Sequence, residues 1–519
     1  MTVAGSTMGR VWIFTTLTWL TAAGCGGLWP AVVEDREIDP GSSAPRITRV
    51  RDVGSPKLPD TGAWIGASDG VVVPGEVLLI EGSNLGRLPT VTLGGRGASI
   101  LARTEGGGIL ARVPKGVPAG TVEVVVAHGS GRASATVNLH RLVVLLHHDL
   151  LHLVEITKSG LGAPSPPVQI AGAHSVRLHP DGGVAYVLAN KRLVVVDLAA
   201  IPAPRIVGEI ALRHAATQLA ASDRAPILVA VGAGQMTFIV AKDALHPSPY
   251  EPVPLSHELV GAVAFALSPD GKSLAALVPD GNRLEIFDIE QPRAPKAKAS
   301  LPLLPEARLP LVRDLAWSVD GETIWVVSGT STKSHPTVEP TRLSAVRLGV
   351  GDEARLSVWR TQVVLGAGAP LRLAIARGQP LASGTTIRTP PEKAAVFVTA
   401  VNDQLFRLDK LAGQPSEVAK LWRPPQPGMV VRAALDGTGG PLFPLREIPG
   451  ALDLTPDSQW LLVASLRVTP TATGTLALDF GVSTAAVFGM PTPIFLRLAA
   501  GSVADLKPPF DFAELVVQP

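Results

Sequence analysis

The densest cluster of side chains able to hold a metal or move a proton is His147-His148-Asp149-Leu150-Leu151-His152. On a helix, His148 and His152 would share one face, the spacing at which zinc ligands are presented. The flanks Leu142–Leu146 and Leu153–Ile156 are apolar runs of strand type, so the cluster is expected in a hairpin turn. There, alternation divides its side chains between two faces, and the Glu of an H-E-x-x-H motif is missing. Ala266–Ser273 (Ala-Leu-Ser-Pro-Asp-Gly-Lys-Ser) ends like a phosphate-binding loop, but Ala266 replaces the first Gly and no helical pattern follows. Asp436-Gly437-Thr438-Gly439-Gly440 lacks the spaced carboxylates of a calcium loop and reads as a connector. Gly82–Gly86 (Gly-Ser-Asn-Leu-Gly) departs from the G-x-S-x-G order of a nucleophile elbow. All 11 histidines lie between His128 and His335. Asp181, Asp270, Asp320 and Asp457 recur in the repeats described below, where their turns explain them, and no inward carboxylate recurs at one repeat position. No catalytic residue, cofactor site or metal site is therefore expected. The sole cysteine, Cys25, excludes a disulfide framework and any multi-Cys zinc site.

The elements that must carry these residues follow from composition. The 519 residues include 52 Gly and 47 Pro, a density of breakers that favours short strands joined by turns over long helices. Lys and Arg number 46 against 44 Asp and Glu, so the clustered basic charge that nucleic-acid binding needs is absent from the overall balance. Charged residues make up 17% and hydrophobic ones 46%, which excludes disorder as the global state.

Arg10 precedes an apolar run from Val11 to Ala23, followed by Gly24-Cys25-Gly26. The run is shorter than the ~20 residues a spanning helix needs and matches the apolar region of a secretory signal. Ala22-Ala23-Gly24-Cys25 resembles a bacterial lipobox, with Ala22 where Leu is commoner. The resemblance implies cleavage before Cys25 and lipid attachment to its sulfur. Gly26, rather than Asp, follows the cysteine, which by the same analogy favours the outer membrane. No later stretch approaches ~18 unbroken apolar residues. Residues 1–24 are thus expected to be a lipoprotein signal peptide and 25–45 a tether.

Residues 46–140 carry alternating runs at Val71–Ile80, Thr90–Leu93, Ile109–Val113 and Thr121–Ala127, separated by turn signals. Pro74-Gly75-Glu76-Val77, Glu81-Gly82-Ser83-Asn84-Leu85-Gly86, Val91-Thr92-Leu93-Gly94-Gly95 and Val113-Pro114-Lys115-Gly116 occur in the order of an IPT/TIG domain. Pro118–Val124 continues that pattern. The resemblance implies an immunoglobulin-like β-sandwich with a structural or interaction role.

Beyond Arg141 the sequence repeats. His179-Pro180-Asp181-Gly182, Ser268-Pro269-Asp270-Gly271, Ser318-Val319-Asp320-Gly321 and Thr455-Pro456-Asp457-Ser458 each lie between two apolar strands, a hairpin signal with a stated mechanism. A degenerate copy at Ser222-Asp223-Arg224 sets intervals of 42, 47 and 50 residues from Asp181 to Asp320, the period of propeller blades. Third strands are expected at Arg192–Leu198, Arg283–Ile289, Arg342–Leu348 and Gln404–Leu408. Units start near residues 174, 214, 260, 311, 371 and 450, and Leu142–Ile170 with Phe512–Val517 would form one shared closing blade. The repeats resemble the YVTN and TolB-type bacterial propellers.

The fold expected is all-β: an immunoglobulin-like β-sandwich over 46–140 and a seven-bladed β-propeller over 141–519, with six blades as the alternative. The sandwich is expected to keep its own core and to touch the ring through one connection. Gly329–Thr341, Leu466–Gly474 and Arg423–Gly450 read as long connections at the end of the ring opposite the Asp-Gly turns, where recognition residues tend to sit. Arg377–Pro390 reads as an insertion at the Asp-Gly end. The function expected is a lipid-anchored cell-envelope protein that binds or scaffolds an envelope or extracellular protein or glycan. The competing class is a propeller hydrolase of lactonase type with a channel-lining acidic site.

Overall fold

The computed structural model describes residues 44–53 and 72–518 apart from internal segments, the longest of them 376–395 and 402–427. Cys25, the signal segment and most of the tether lie outside the described residues, as do Gln404–Leu408 and Arg377–Pro390. Among the described residues there is no α-helix, and the strands form nine antiparallel sheets.

The N-terminal unit consists of two four-stranded sheets. One orders Arg46–Asp52, Val77–Ser83, Ile109–Arg112 and Ser99–Arg103; the other orders Arg96–Gly97, Thr90–Leu93, Gly120–His128 and Gly131–Leu139. Both contribute to one apolar cluster that includes Leu78, Ile80, Leu93, Ile109, Val124 and Val126. The apolar run expected over Val71–Ile80 is broken at Pro74-Gly75, and its strand begins only at Val77. Gly75 takes φ +83°, and the Glu76 carboxylate, fully buried, accepts the Val73 N–H at 2.9 Å, so residues 73–76 form a rigid turn.

The other seven sheets follow one plan. The first strands of six of them begin at Ala173, Gln218, Ala264, Pro310, Ala369 and Ile448. In the first four of these the pairing to the second strand runs through the repeat turn, whose chemistry explains its composition. In the third sheet the Ser268 hydroxyl accepts the N–H groups of Lys272 and Ser273, while Gly271 sits at φ +71°. Ser318 and Asp320 do the same for Thr323 and Glu322. The fifth sheet departs from the expected plan. Its third strand is Gly428–Ala433 and its fourth Gly440–Leu445, so much of Arg423–Gly450 is sheet rather than a connecting loop. The flanking Pro and Gly residues hid the short apolar run Met429-Val430-Val431. Leu466–Gly474 likewise falls mostly within a regular hairpin, in which Trp460–Pro470 pairs residue for residue with Leu476–Ala486.

The seventh, closing sheet orders Gly160–Pro164, Leu150–Thr157, Arg141–His147 and Ala513–Val517. The last strand pairs antiparallel with the first ring strand, Ala513 opposite His147 through Val517 opposite Val143. Apolar clusters then link every sheet to the next. Six of them join the sheets in sequence order, and another places Phe480, Val482 and Leu462 of the sixth sheet against Val143, Leu145, Leu515 and Val517 of the closing one. An open row of seven sheets would have six such interfaces. Seven close the row on itself.

Gln518, fully buried, seals that closure: its side-chain oxygen accepts the Leu142 N–H at 2.8 Å, its own N–H donates to the Leu142 carbonyl, and its amide nitrogen donates to the Gly182 carbonyl at 2.9 Å. Truncation after Lys507 removes Leu515, Val517 and Gln518 together, a loss on the order of 5 kcal/mol from apolar burial alone. The truncated chain should melt well below the intact one and aggregate through its exposed strand edge. Differential scanning calorimetry with light scattering tests this, and equal melting of the two chains would refute closure by the C-terminal strand.

Candidate functional site: the charged centre of the ring

In six of the ring sheets the first strand stands at one end of the strand order and touches the corresponding strand of the next sheet; in the closing sheet Ala513–Val517 holds that place. The series runs from Ala173–Leu178 around to Ile448–Leu454, then to Ala513–Val517 and back to Ala173–Leu178. These seven strands therefore surround the centre, and their polar side chains are the ones that can meet there. Arg177 forms an ion pair with Glu514 across the closing boundary. Asp314, in the fourth sheet, accepts the N–H of Leu315 and, across the sheet boundary, that of Leu373, both at 3.0 Å. Burial raises its carboxyl above the usual carboxylate range, and the positive charges of Arg372 and Arg177 with the two N–H donors oppose that rise. Arg177 lies on the first sheet, three sheets from Asp314, so a charge felt between them crosses the centre of the ring.

Asp453, in the sixth sheet, repeats the Asp314 arrangement. Its carboxylate accepts the Leu454 N–H at 2.8 Å and the Val517 N–H of the closing sheet at 2.9 Å. Two inner carboxylates thus serve as clips between neighbouring first strands, each accepting one N–H on either side of a sheet boundary. The chemistry this arrangement performs is structural: charge-assisted hydrogen bonds hold strands that have no ladder bonds to one another.

Arg177, Asp314, Arg372, Asp453 and Glu514 carry no repeat signature in the sequence. The inner charges are of both signs and differ in register, so no single carboxylate recurs at one inward repeat position. A signal existed. Arg372, Asp453 and Glu514 each stand alone between apolar neighbours of an inner strand, as in Leu452-Asp453-Leu454 and Ala513-Glu514-Leu515, whereas Asp314 follows Arg313 and Arg177 shares its strand with His174 and Ser175.

The histidine cluster is a hairpin, with His148 at φ +51° and Asp149 in its turn. His148 and His152 are not presented on one helical face. Instead, His147 and His152 lie on the same side of the closing sheet, because each faces a residue of the other's strand: His147 is opposite Leu150, and His152 opposite Leu145. The separation of side chains expected from alternation therefore fails for this pair. Both rings are buried, and His147 stacks on Phe480 at 3.9 Å between ring centres. Asp149 turns elsewhere and accepts the Gly172 N–H at 2.8 Å. Among the described residues, no group of three or more His, Cys, Asp and Glu side chains converges as metal ligands would. Ala266–Ser273 is a repeat turn and its flanking strands, and Gly440 of the Asp436–Gly440 segment opens a strand. The remainder of that segment lies outside the described residues. Asp181 is held by the Arg112 guanidinium of the N-terminal unit. An open depression of ≈ 540 Å³ on that unit is lined by Thr48, Arg49, Glu81 and four residues of glycine-rich backbone.

No protein-family model matches the sequence, and no curated protein is significantly similar to it. Among solved structures, the chain resembles the β-propeller domain of Cps50 (Swd1) from Myceliophteria thermophila, at 12% identity and a TM-score of 0.39, over 64% of this chain and 95% of that one. It also resembles a candidate 6-phosphogluconolactonase from Bacteroides fragilis, at 12% identity and a TM-score of 0.45, over 73% and 98%. A protein of unknown function from Bacteroides thetaiotaomicron aligns over 86% of this chain and 99% of its own at 11% identity and a TM-score of 0.34. The neighbours are propeller-like proteins, and likenesses this distant carry no inference about activity.

The buried His152 generates a pH dependence. Burial, reinforced by the charge of His147, lowers the His152 pKa from 6.5 to about 4. The folded state therefore binds fewer protons than the unfolded chain between those values, so stability is complete above about 6.5 and falls as pH drops toward 4. Melting temperatures across that window should show the decline, and His152→Leu should flatten it. An unchanged slope in the variant would assign the acid sensitivity to other groups.

Proposed function

We propose that the chain is a lipid-anchored protein of the cell envelope that serves as a rigid binding platform. In this reading residues 1–24 are a signal peptide, Cys25 carries the lipid, and 25–45 tether an immunoglobulin-like sandwich of IPT/TIG type. Residues 141–519 form a seven-bladed propeller, a count supported by seven sheets joined through seven apolar clusters. The outer membrane is the proposed location, and the proposed partner is an envelope or extracellular protein or glycan.

The observation that carries the platform reading is the use made of the inner carboxylates. Asp314 and Asp453 clip neighbouring first strands, and Glu514 is paired with Arg177. A hydrolase of lactonase type would need one of these groups poised to take a proton from water, whereas here they hold the frame together. Partner contacts then fall to the ends of the ring. Incubation of the purified chain with five- and six-membered lactones should give no turnover above buffer. Turnover abolished by Glu514→Gln would instead establish the hydrolase.

Anchoring is tested separately. Cys25→Ser should shift the protein from the membrane fraction to the soluble one, because several acyl chains at ~0.8 kcal/mol per buried CH₂ are what retain it. Equal membrane retention of variant and wild type after a high-salt wash would refute lipid attachment at this residue.

A further inference from the structure

The connection between the N-terminal unit and the ring is not the single crossing expected from sequence. The last strand of the unit ends at Leu139 and the first ring strand begins at Arg141, so His140 alone separates them. Around this junction the unit grips the ring at several further places. Arg141, 1% exposed, donates to the Val117 carbonyl at 2.6 Å, and His140 bonds the Glu155 carboxylate. Val73 belongs to the apolar cluster that joins the closing sheet to the first ring sheet, beside Leu142, Val144 and Val176. Lys115 reaches the Asp223 carbonyl of the second sheet at 3.2 Å.

The tightest contact is at the repeat turn of the first sheet. A Cβ placed on Gly75 would come within 2.5 Å of the Asp181 carbonyl oxygen and 2.7 Å of the Gly183 nitrogen, so only glycine fits there. Arg112 forms an ion pair with Asp181 on the same turn. That turn is also tied to the second sheet. The His179 pKa is lowered by burial, and the neutral ring can donate from Nε2 to the Ala241 carbonyl at 3.0 Å while Nδ1 accepts the Asp181 N–H. From its other side, Gly182 accepts the amide of Gln518, the residue that seals the C-terminal strand. One four-residue turn therefore holds the N-terminal unit, the second sheet and the end of the chain.

We infer that the N-terminal unit is a lock on the closing seam of the ring, so that docking of the unit and closure by residues 513–518 are one cooperative event. The inference is independent of membrane anchoring and of what the ring binds. Its physical basis is that both partners contact Asp181–Gly183 and both bury side chains beside Leu142 and Val144, so displacing either leaves the other against a loosened surface. Coupling of this kind is reciprocal.

Hydrogen exchange of the full-length chain, read by mass spectrometry, tests it. Gly75→Val forces the 73–76 turn off the ring, and Arg112→Met removes only the ion pair to Asp181. Each should accelerate exchange in residues 513–518 and 142–146 several-fold, although neither residue touches the C-terminal strand. In the reverse direction, Gln518→Ala should accelerate exchange in residues 72–76 and 111–117. Arg132→Met, which breaks the exposed pair with Glu123 within the unit, should leave both regions unchanged. If Gly75→Val fails to fold, Arg112→Met and Gln518→Ala still decide the matter. Loosening of 72–76 with full protection retained in 513–518, or two separate thermal transitions in the wild type, would overturn the inference.

Discussion

Pairing of the last strand with the first strand of the ring is the constraint on which the rest of this structure depends. Each ring sheet buries both faces against neighbours, and none has a core of its own, so the sheets are stable only as a closed series. In a row, the two terminal sheets would each leave one apolar face and one strand edge in water. Ala513–Val517 removes both defects at once, since it adds the innermost strand to the closing sheet and turns Leu515 and Val517 toward Phe480 and Val143. Contacts between residues more than 350 positions apart in the chain thereby decide whether the intervening sheets hold.

The polar interior follows from the same geometry. First strands of neighbouring sheets lie side by side around the centre without sharing a ladder, so their packing there needs another bond. Asp314 and Asp453 supply it by accepting N–H groups on both sides of a sheet boundary, and Arg177 with Glu514 spans the boundary at closure. These half-buried charges are tolerated because each is met by donors or by an opposite charge. The outer edges face a different problem. The outermost strands Arg205–Ala211 and Lys296–Pro302 expose lysine, arginine and glutamate, which discourages pairing with other chains.

The N-terminal unit fits this economy of edges as a wedge beside the seam. A spacer joined by a flexible linker would leave the ring to close unaided. With only His140 between strands and with Val73 inside a ring cluster, the unit instead shares part of its buried surface with the ring. The loop that makes this possible, Val73–Glu76, owes its shape to one glycine with positive φ and one buried carboxylate.

Local patterns in the sequence determined much of the repeat. The Ser-Pro-Asp-Gly turns follow from hydroxyl and carboxylate side chains satisfying nearby N–H groups and from glycine accepting positive φ, all within six residues. Apolar alternation placed the first strands within a few residues of their starts at Ala173, Gln218, Ala264, Pro310, Ala369 and Ile448, for the same local reason. Where Pro and Gly crowded a short strand, as at Gly428–Ala433, the pattern misled. Three features were decided only by tertiary structure. His147 and His152 came to share a buried face because strand register, not spacing, sets which side a residue takes. Charges such as Asp314 and Arg177 acquired a common centre because ring closure brings first strands together from distant sheets. Gly75 met Asp181 because two folded units docked. In each case the controlling distance is in space, between residues whose separation along the chain carries no periodic trace.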